Sequence, residues 1–402
     1  MKLAIIWANY GPYHLARLKA VREAFDRENV LAIQLSSSTQ TYNWLVDAQQ
    51  QDEVVTLYED VPNERIPWLP LLFRLLKLFW RVKPAVCFVP SYWPASSVAI
   101  ILAAKLNGIR CVMMNDTHGG TAQLKIWKVL AKKLCIRAFF DAGLVAGTLQ
   151  QAYFQKLGLP KDRLFLGYDV VDNDYFATRA KQVLEQREQN RKAYQLPDKY
   201  ILSLGRFVGK KNLPVLIQAY RILLDQWPNP NGVLPHLVFV GSGEQESVMK
   251  QLCHDLHLPV YDKTDLQDIG NQPSAAYSPG VHFYGFRQIK DNPVFYALAS
   301  VFVLPSHFEE WGLVVNEAMA SGLPVVVSQT AGCAPDLVKE GVNGLTFNPE
   351  NPEDLAEKLR VILSNPDKQA DMGKQSQQLI DLWSCALFAK NVKNAANAAL
   401  TP

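Results

Sequence analysis

The chain has 402 residues, a net charge of +3, 49% hydrophobic residues and 20% charged ones. That length fits two or three ordinary domains, and the composition supports a large core and excludes a globally disordered chain. A net charge this small does not describe a general nucleic-acid binder, and no nucleic-acid partner is expected.

The charge is unevenly spread. Residues 1–190 hold 23 Lys+Arg against 17 Asp+Glu, and residues 191–402 hold 18 against 21. The first part is therefore expected to meet an anionic surface or substrate. Six cysteines are scattered, none in a C-x-x-C pair. This argues against zinc ribbons and disulfide frameworks and suggests a reducing, cytoplasmic setting. The opening apolar run is too short for a signal peptide, and no apolar stretch of about 18 residues lacks charges, so no membrane span is expected.

In chain order, strands are predicted at 2–7, 30–35, 54–58, 85–90, 109–114 and 142–147, with a helix from about His14 to Arg27 and further helices between most strands. The alternation repeats with strands at 200–205, 236–241, 281–286, 300–305 and 323–328. Short buried strands alternating with helices specify an α/β fold of two doubly wound, Rossmann-like parallel sheets. The expected divisions are a first domain over 1–175, a polar linker over 176–198, a second domain over 199–377 and a last helix within 378–402. The stretch 261–280 has loop composition and reads as an insertion, either solvated or touching a partner.

In such sheets ligands lie beyond the carboxyl ends of the strands. "GRFVGKKN" follows a strand: Gly205 ends it, Arg206 offers a fork of donors and Lys211 a compact charge, a set suited to a diphosphate. "HFEEWGLVVNEAMASGLPVVV" carries Glu309, Glu310 and Glu317 around Gly312. Gly312 permits close backbone approach, a helix begins near Leu313, Glu317 suits a ribose and Glu309 a sugar hydroxyl. Trp311, Phe286 and Arg287 join this nucleotide-binding set. "VGSGEQE" provides Gly241 and Gly243 but has Glu246 where a dinucleotide fingerprint needs its third glycine, so it reads first as a tight turn.

The first half offers "ANYGPYH" after its first strand, with Gly11 and His14, and "NDTHGG", with Asp116 and His118 as acid/base candidates on the acceptor side. Asp172 and Asp174 mimic a metal motif without a third ligand, and His254 and His257 lack companions; no metal ligand is assigned. Two segments, 67–84 and 124–137, are basic and amphipathic, and read either as helices with a solvated stripe or as a docking surface for anionic lipid.

"PSHFEEWGLVVNEAMASGLPVV" resembles the E-x7-E signature of family 4 retaining glycosyltransferases, with Glu309 and Glu317 as its two carboxylates and Glu310 where the family usually has Gly. "GRFVGKKN" is similar to the family's G-R-x-x-x-x-K motif, "AGCAPDLVKEGVNGLTFNP" to the segment that follows, and "YDVVDNDYF" to its interdomain pattern through Asp172 and Phe176. "YGPYH" replaces the usual paired glycines. The resemblance implies a GT-B fold, two facing Rossmann-like domains with an interdomain cleft, and sugar transfer from a nucleotide-diphosphate sugar with retention and no metal or other cofactor. It implies that Arg206 and Lys211 stabilise the departing diphosphate, Glu317 binds the ribose, Glu309 contacts the donor sugar or reacting centre, and His118 is the first domain's catalytic histidine. It also implies a last helix that crosses back to the first domain. The expected partners are the nucleotide-sugar donor, a glycan, lipid-linked or small-molecule acceptor, and an anionic membrane surface at the first domain. The rival readings are an epimerase or phosphorylase on the same fold, a non-catalytic sugar-nucleotide or glycan binder and, more remotely, a dehydrogenase.

Overall fold

The computed structural model of the chain describes residues 1–38, 54–59, 61–120, 126–227, 234–264 and 278–401. It divides into one unit of Met1–Asp172 with Trp383–Pro402 and another of Asn173–Leu382.

The first unit holds β1 (Leu3–Trp7), β2 (Val30–Ser36), β3 (Val55–Tyr58), β4 (Val86–Pro90), β5 (Arg110–Asn115), β6 (Ala142–Val145) and β7 (Leu164–Phe165), all parallel, in the order β3-β2-β1-β4-β5-β6-β7. The second holds β8 (Tyr200–Leu204), β9 (His236–Val240), β10 (Val260–Asp262), β11 (Val281–Phe283), β12 (Val301–Leu304), β13 (Val325–Ser328) and β14 (Gly344–Phe347), also parallel, in the order β10-β11-β9-β8-β12-β13-β14. In each sheet the first strand is central and later strands are added on both sides of it; in the second sheet β10 takes the edge and β11 returns to lie between it and β9. The gaps between β1 and β4 and between β8 and β12 are therefore topological switch points.

The helices in chain order are α1 (Pro12–Ala24), α2 (Trp68–Val82), α3 (Ala95–Leu106), α4 (Ile126–Phe139), α5 (Thr148–Lys156), α6 (Asn173–Glu185), α7 (Arg187–Ala193), α8 (Leu213–Asp225), α9 (Glu246–Asp255), α10 (Asn292–Leu298), α11 (Leu313–Ala320), α12 (Ala334–Leu337), α13 (Pro352–Leu363), α14 (Pro366–Ile380) and α15 (Cys385–Leu400). Their starts follow local chemistry. Pro12, Pro214, Pro352 and Pro366 occupy first-turn positions, where a missing N–H costs nothing. Asn351, Asn365 and Ser384 accept hydrogen bonds from the amides three residues on.

Strands buried on both faces divide their side chains by alternation. Leu3, Ile5 and Trp7 pack with Leu18 and Val21 of α1 and Phe388 and Val392 of α15, whereas Ala4 and Ile6 pack with Leu71, Leu75 and Phe79 of α2 and Ile136 of α4. In the second unit Ile201, Phe239, Val281, Val301 and Val303 face Leu216 and Tyr220 of α8 and Leu355 and Leu359 of α13.

Three expectations change. The segment 176–198 is not a linker: it forms most of α6 and all of α7 in the second unit, because Phe176, Ala180 and Val183 recur at helical spacing and are buried. The single helix expected over 378–400 is two, parted after Ile380; Ser384 caps the second and bridges to Val171, and α15 lies on α1. The strands β7, β10 and β14 complete the sheets beyond those predicted. The central part of the 261–280 insertion lies outside the described residues, as do residues 121–125. Among the described residues no helix is long and apolar enough to cross a membrane.

Candidate active site

The strongest constellation stands at the switch point of the second unit, on the loops that leave β8 and β12. After β8 the backbone turns at Gly205 (φ 147°) and the next side chains part: Arg206 is exposed, while the buried Phe207 ring packs edge-on against Phe239 and Phe283. Phe207 thereby anchors the loop that presents Arg206, Lys210 and Lys211. Gly205, Arg206 and Lys211 line a small concavity with Leu304 and Pro305 from the end of β12.

The glycines of the β9 loop serve that same anchoring. The Phe207 amide donates to Ser242 O at 2.9 Å, the Gln245 amide to Phe207 O at 3.0 Å and the Gly241 amide to Gly285 O at 2.8 Å. A Cβ on Gly241 (φ 142°) would lie 1.9 Å from Gly205 O, and one on Gly243 2.4 Å from Phe207 O. Only bare backbone fits here, so the incomplete dinucleotide fingerprint is explained by loop-to-loop contact. Past the end of β11, Phe286 is exposed and Arg287 Nη2 donates to the carbonyls of Lys263 (3.1 Å) and Thr264 (3.3 Å).

The loop after β12 supplies the carboxylates. Glu309 is buried and forms an ion pair with Lys211, and Ser306 Oγ donates to the same carboxylate oxygen at 3.3 Å. Its neighbour Glu310 pairs with Lys210 at 2.6 Å, and the Lys210 ammonium also lies 3.9 Å from Glu309. The His307 amide donates to Lys210 O at 2.9 Å, so backbone and side chains both lock the two loops together. The loop after β13 braces the assembly: the Gly332 amide donates to Glu309 O (2.9 Å) and the Cys333 amide to Trp311 O (3.2 Å). Trp311 is buried, with Nε1 donating to Asn316 Oδ1 at 3.0 Å. Gly312 (φ 106°) then opens α11; a Cβ there would lie 2.8 Å from Leu304 Cδ2. Leu313 begins the helix, and the buried Glu317 lies in its second turn. A carboxylate and an ammonium held side by side next to a helix N-terminus can meet positive and negative charge developing on adjacent atoms.

Burial works against the Lys210 charge, but the Glu310 hydrogen bond and the carboxylates of Glu309 and Glu310 outweigh it and raise its pKa above the ordinary lysine value. Burial likewise opposes the Glu310 charge, and the Lys210 hydrogen bond with the nearby lysine charges outweighs it and lowers that pKa. Sequence analysis assigned neither residue a role. Their pairing spans 100 residues and exists because β12 lies beside β8.

In the first unit the predicted acceptor residues stand at the ends of β1 and β5. Gly11 caps α1, and its amide donates to His14 Nδ1 at 3.2 Å. The His14 ring is 4.7 Å from that of Trp7. Burial and the Arg17 charge push its pKa down to about 3, so His14 is neutral at physiological pH with Nδ1 engaged and Nε2–H as its remaining polar group. Asp116 and His118 are half-buried just past β5, where Asn115 Nδ2 donates to Ser91 Oγ at 2.9 Å and the Thr117 amide to Asn115 Oδ1 at 2.7 Å. One feature had no sequence signal: buried Arg17 on α1 binds Asp169 at 3.2 Å and Val170 O at 3.0 Å, 152 and 153 residues away. Asp172, Asp174, His254 and His257 belong to no metal-holding group, and none was found among the described residues.

Two doubly wound units, each a parallel sheet with helices on both faces, define the class: this is the GT-B fold. Residues 198–365, within the second unit, match the family model described as glycosyl transferases group 1. An uncharacterised glycosyltransferase of Haemophilus influenzae is 30% identical over 186 residues, covering 46% of this chain and 45% of that protein. The sulfoquinovosyl transferase SQD2 of Arabidopsis thaliana is 28% identical over 228 residues, covering 56% of this chain and 38% of that protein. These matches span less than half of either relative's length. A solved structure of Alr3699/HepE from Anabaena, in complex with UDP and glucose, superposes with a TM-score of 0.70 at 16% identity over 98% of both chains. At that identity the likeness is one of fold.

Proposed function

We propose that the chain is a retaining glycosyltransferase that moves a hexose-type sugar from a nucleotide-diphosphate sugar to a glycan, lipid-linked or small-molecule acceptor, without help from a metal ion. The observation that carries this reading is the Lys211–Glu309 pair at the β8/β12 switch point, beside the start of α11. Breaking a glycosyl–phosphate bond leaves positive charge at the anomeric carbon and negative charge on the departing diphosphate. Lys211, Arg206 and the α11 amides meet the diphosphate, and Glu309 meets the sugar or its reacting centre. Glu317 receives the ribose hydroxyls, and Phe286, Arg287, Gly241 and Gly243 border the nucleotide. On the acceptor side His118 and Asp116 handle the acceptor proton, and Gly11 and His14 contact the acceptor. A lipid-linked acceptor would place the enzyme at the inner face of a membrane. The UDP bound by the Anabaena protein makes UDP-sugars the first donors to try.

The test is a thermal-shift panel of UDP-, GDP- and ADP-sugars, followed by product analysis of the preferred donor with and without acceptor. A ligand at 100 times its Kd stabilises by about 2.7 kcal/mol. The expected result is a shift with one nucleotide that Lys211→Ala abolishes, and a product of unchanged anomeric configuration. Shifts with no donor, or a sugar rearranged in the absence of acceptor, would overturn the reading. Activity lost to a chelator and restored by manganese would overturn its metal-free part.

A further inference from the structure

A helix that covers a sheet needs one apolar stripe; α2 and α4 each have two. On α2 Leu71, Leu75 and Phe79 are buried against the sheet, while Phe73 and Trp80, 67% and 72% exposed, point away from it with Leu69. On α4 Ile136 is buried, whereas Trp127 and Leu134, 63% and 72% exposed, form an outward face with Leu130. Both helices cover the same side of the first unit's sheet. Outward apolar faces of this kind mark a surface that meets something other than water.

The charge around them identifies the occupant. Between Arg65 and Phe140 the chain has 12 Lys+Arg and one acid, Asp116. Some of these cations are already engaged: Lys105 and Arg110 bind Asp141 at 2.8 and 2.9 Å, Lys132 lies 3.5 Å from Tyr153 Oη, and Arg74 covers the Tyr58 ring at 4.1 Å. Lys77, Arg81, Lys128, Lys133 and Arg137 have no carboxylate partner among the described residues, and the Lys128 ammonium lies 5.6 Å from the Trp127 ring centre. Exposed tryptophan and leucine interleaved with unpaired cations match the boundary of an anionic bilayer, where indole rings settle at headgroup depth and lysines meet lipid charge. A protein partner would need a complementary acidic and apolar face; a bilayer supplies both chemistries at once.

We propose that the outward faces of α2 and α4 form a docking surface for anionic lipid bilayers, with Trp127, Leu130 and Leu134 entering the acyl boundary. The proposal goes beyond sugar transfer and does not depend on it, since its readout uses no donor. The experiment is sedimentation of the full chain with phosphatidylcholine vesicles and with vesicles of phosphatidylcholine and phosphatidylglycerol, alongside tryptophan emission. The expected result is binding to the anionic vesicles, weakened by salt, with a blue shift in emission. Lys133→Gln with Arg137→Gln should lower partitioning roughly 30-fold, at about 1 kcal/mol for each basic residue. Leu130→Gln with Leu134→Gln should reduce both binding and the blue shift. All four sites are exposed, and unchanged circular dichroism and melting will confirm folding. Equal binding to neutral and anionic vesicles, no binding, or binding that survives both pairs overturns the proposal. So does a dimer in light scattering that Leu130→Gln with Leu134→Gln dissociates, because the face would then be covered by a second copy.

Discussion

Both units place their first strand, β1 or β8, inside a parallel sheet beside a switch point, yet they put charge in different places. In the second, the loops at the switch point carry Arg206, Lys210, Lys211, Glu309 and Glu310, interlocked by ion pairs. In the first, the corresponding ends carry Tyr10, His14, Asn115, Asp116 and His118, largely uncharged or aromatic, and the cations lie on the outer helices. Topology decides where loops converge; side chains decide what can be bound there. The second unit gathers at its switch point the charges that suit a compact polyanion, whereas the first keeps its strand-end loops nearly uncharged and carries its cations on the outer helices.

Five substitutions sharpen or break this contrast. The largest effect is expected in the first unit. Arg17→Ala leaves Asp169 buried without its cation and should cost about 3–5 kcal/mol. Hydrogen exchange should show β1 and α1 losing protection while the β8 region keeps its own; equal loss in both regions would deny the units their independence. Next, Lys211→Ala should lower kcat/KM for sugar transfer by about 10²–10³, the scale of losing one preorganised donor to a developing negative charge. Initial rates with the preferred donor measure it, and an unchanged rate would remove charge neutralisation from the second unit's role. Gly241→Ala, whose Cβ would meet Gly205 O, should cost about 3 kcal/mol in urea unfolding followed on second-unit peptides.

The smallest effects concern pH. Burial lowers the pKa of Lys263 to about 8 from an unfolded value of 10.5. Between those values the unfolded chain binds the proton and the folded chain does not, so folding gains stability as pH rises. Relative to Lys263→Met, the wild type should therefore gain in Tm as pH rises across that window. The variant leaves Gln195 O with the Tyr284 hydroxyl at 2.9 Å. Glu310→Gln should cost under about 1 kcal/mol at neutral pH, since the pair is partly solvated. That cost should vanish in acid, as pH falls below 4.5 through the lowered pKa of Glu310. A cost that persists in acid would point to packing instead of charge.

Much of the fold could be read from local pattern. Buried strands such as Val86–Pro90 and Val301–Leu304 announce themselves as short runs rich in β-branched and aromatic residues. The edges were less legible: β10 is short and partly exposed, β7 has two residues, and β14 begins at Gly344, whose bare backbone lies against Val325 O. The polar composition of 176–198 concealed the spacing of Phe176, Ala180 and Val183, which was present all along. In the site, Arg206, Lys211, Glu309 and Gly312 stood out because each follows a strand end. Lys210 and Glu310 did not, since a surface lysine and a surface glutamate look alike in any loop until the strands bring them together.

The order of residues alone therefore determined the two parallel sheets, their approximate strands and the charged loops of the second, because periodicity and turn chemistry act over a few neighbouring residues. Tertiary structure alone decided which charges meet: Lys210 with Glu310, Lys211 with Glu309, Arg17 with Asp169, and which apolar stripe of α2 and α4 remains outside. Ion pairing and burial depend on distance in space, and strand adjacency joins residues about 100 or more positions apart that no local pattern links.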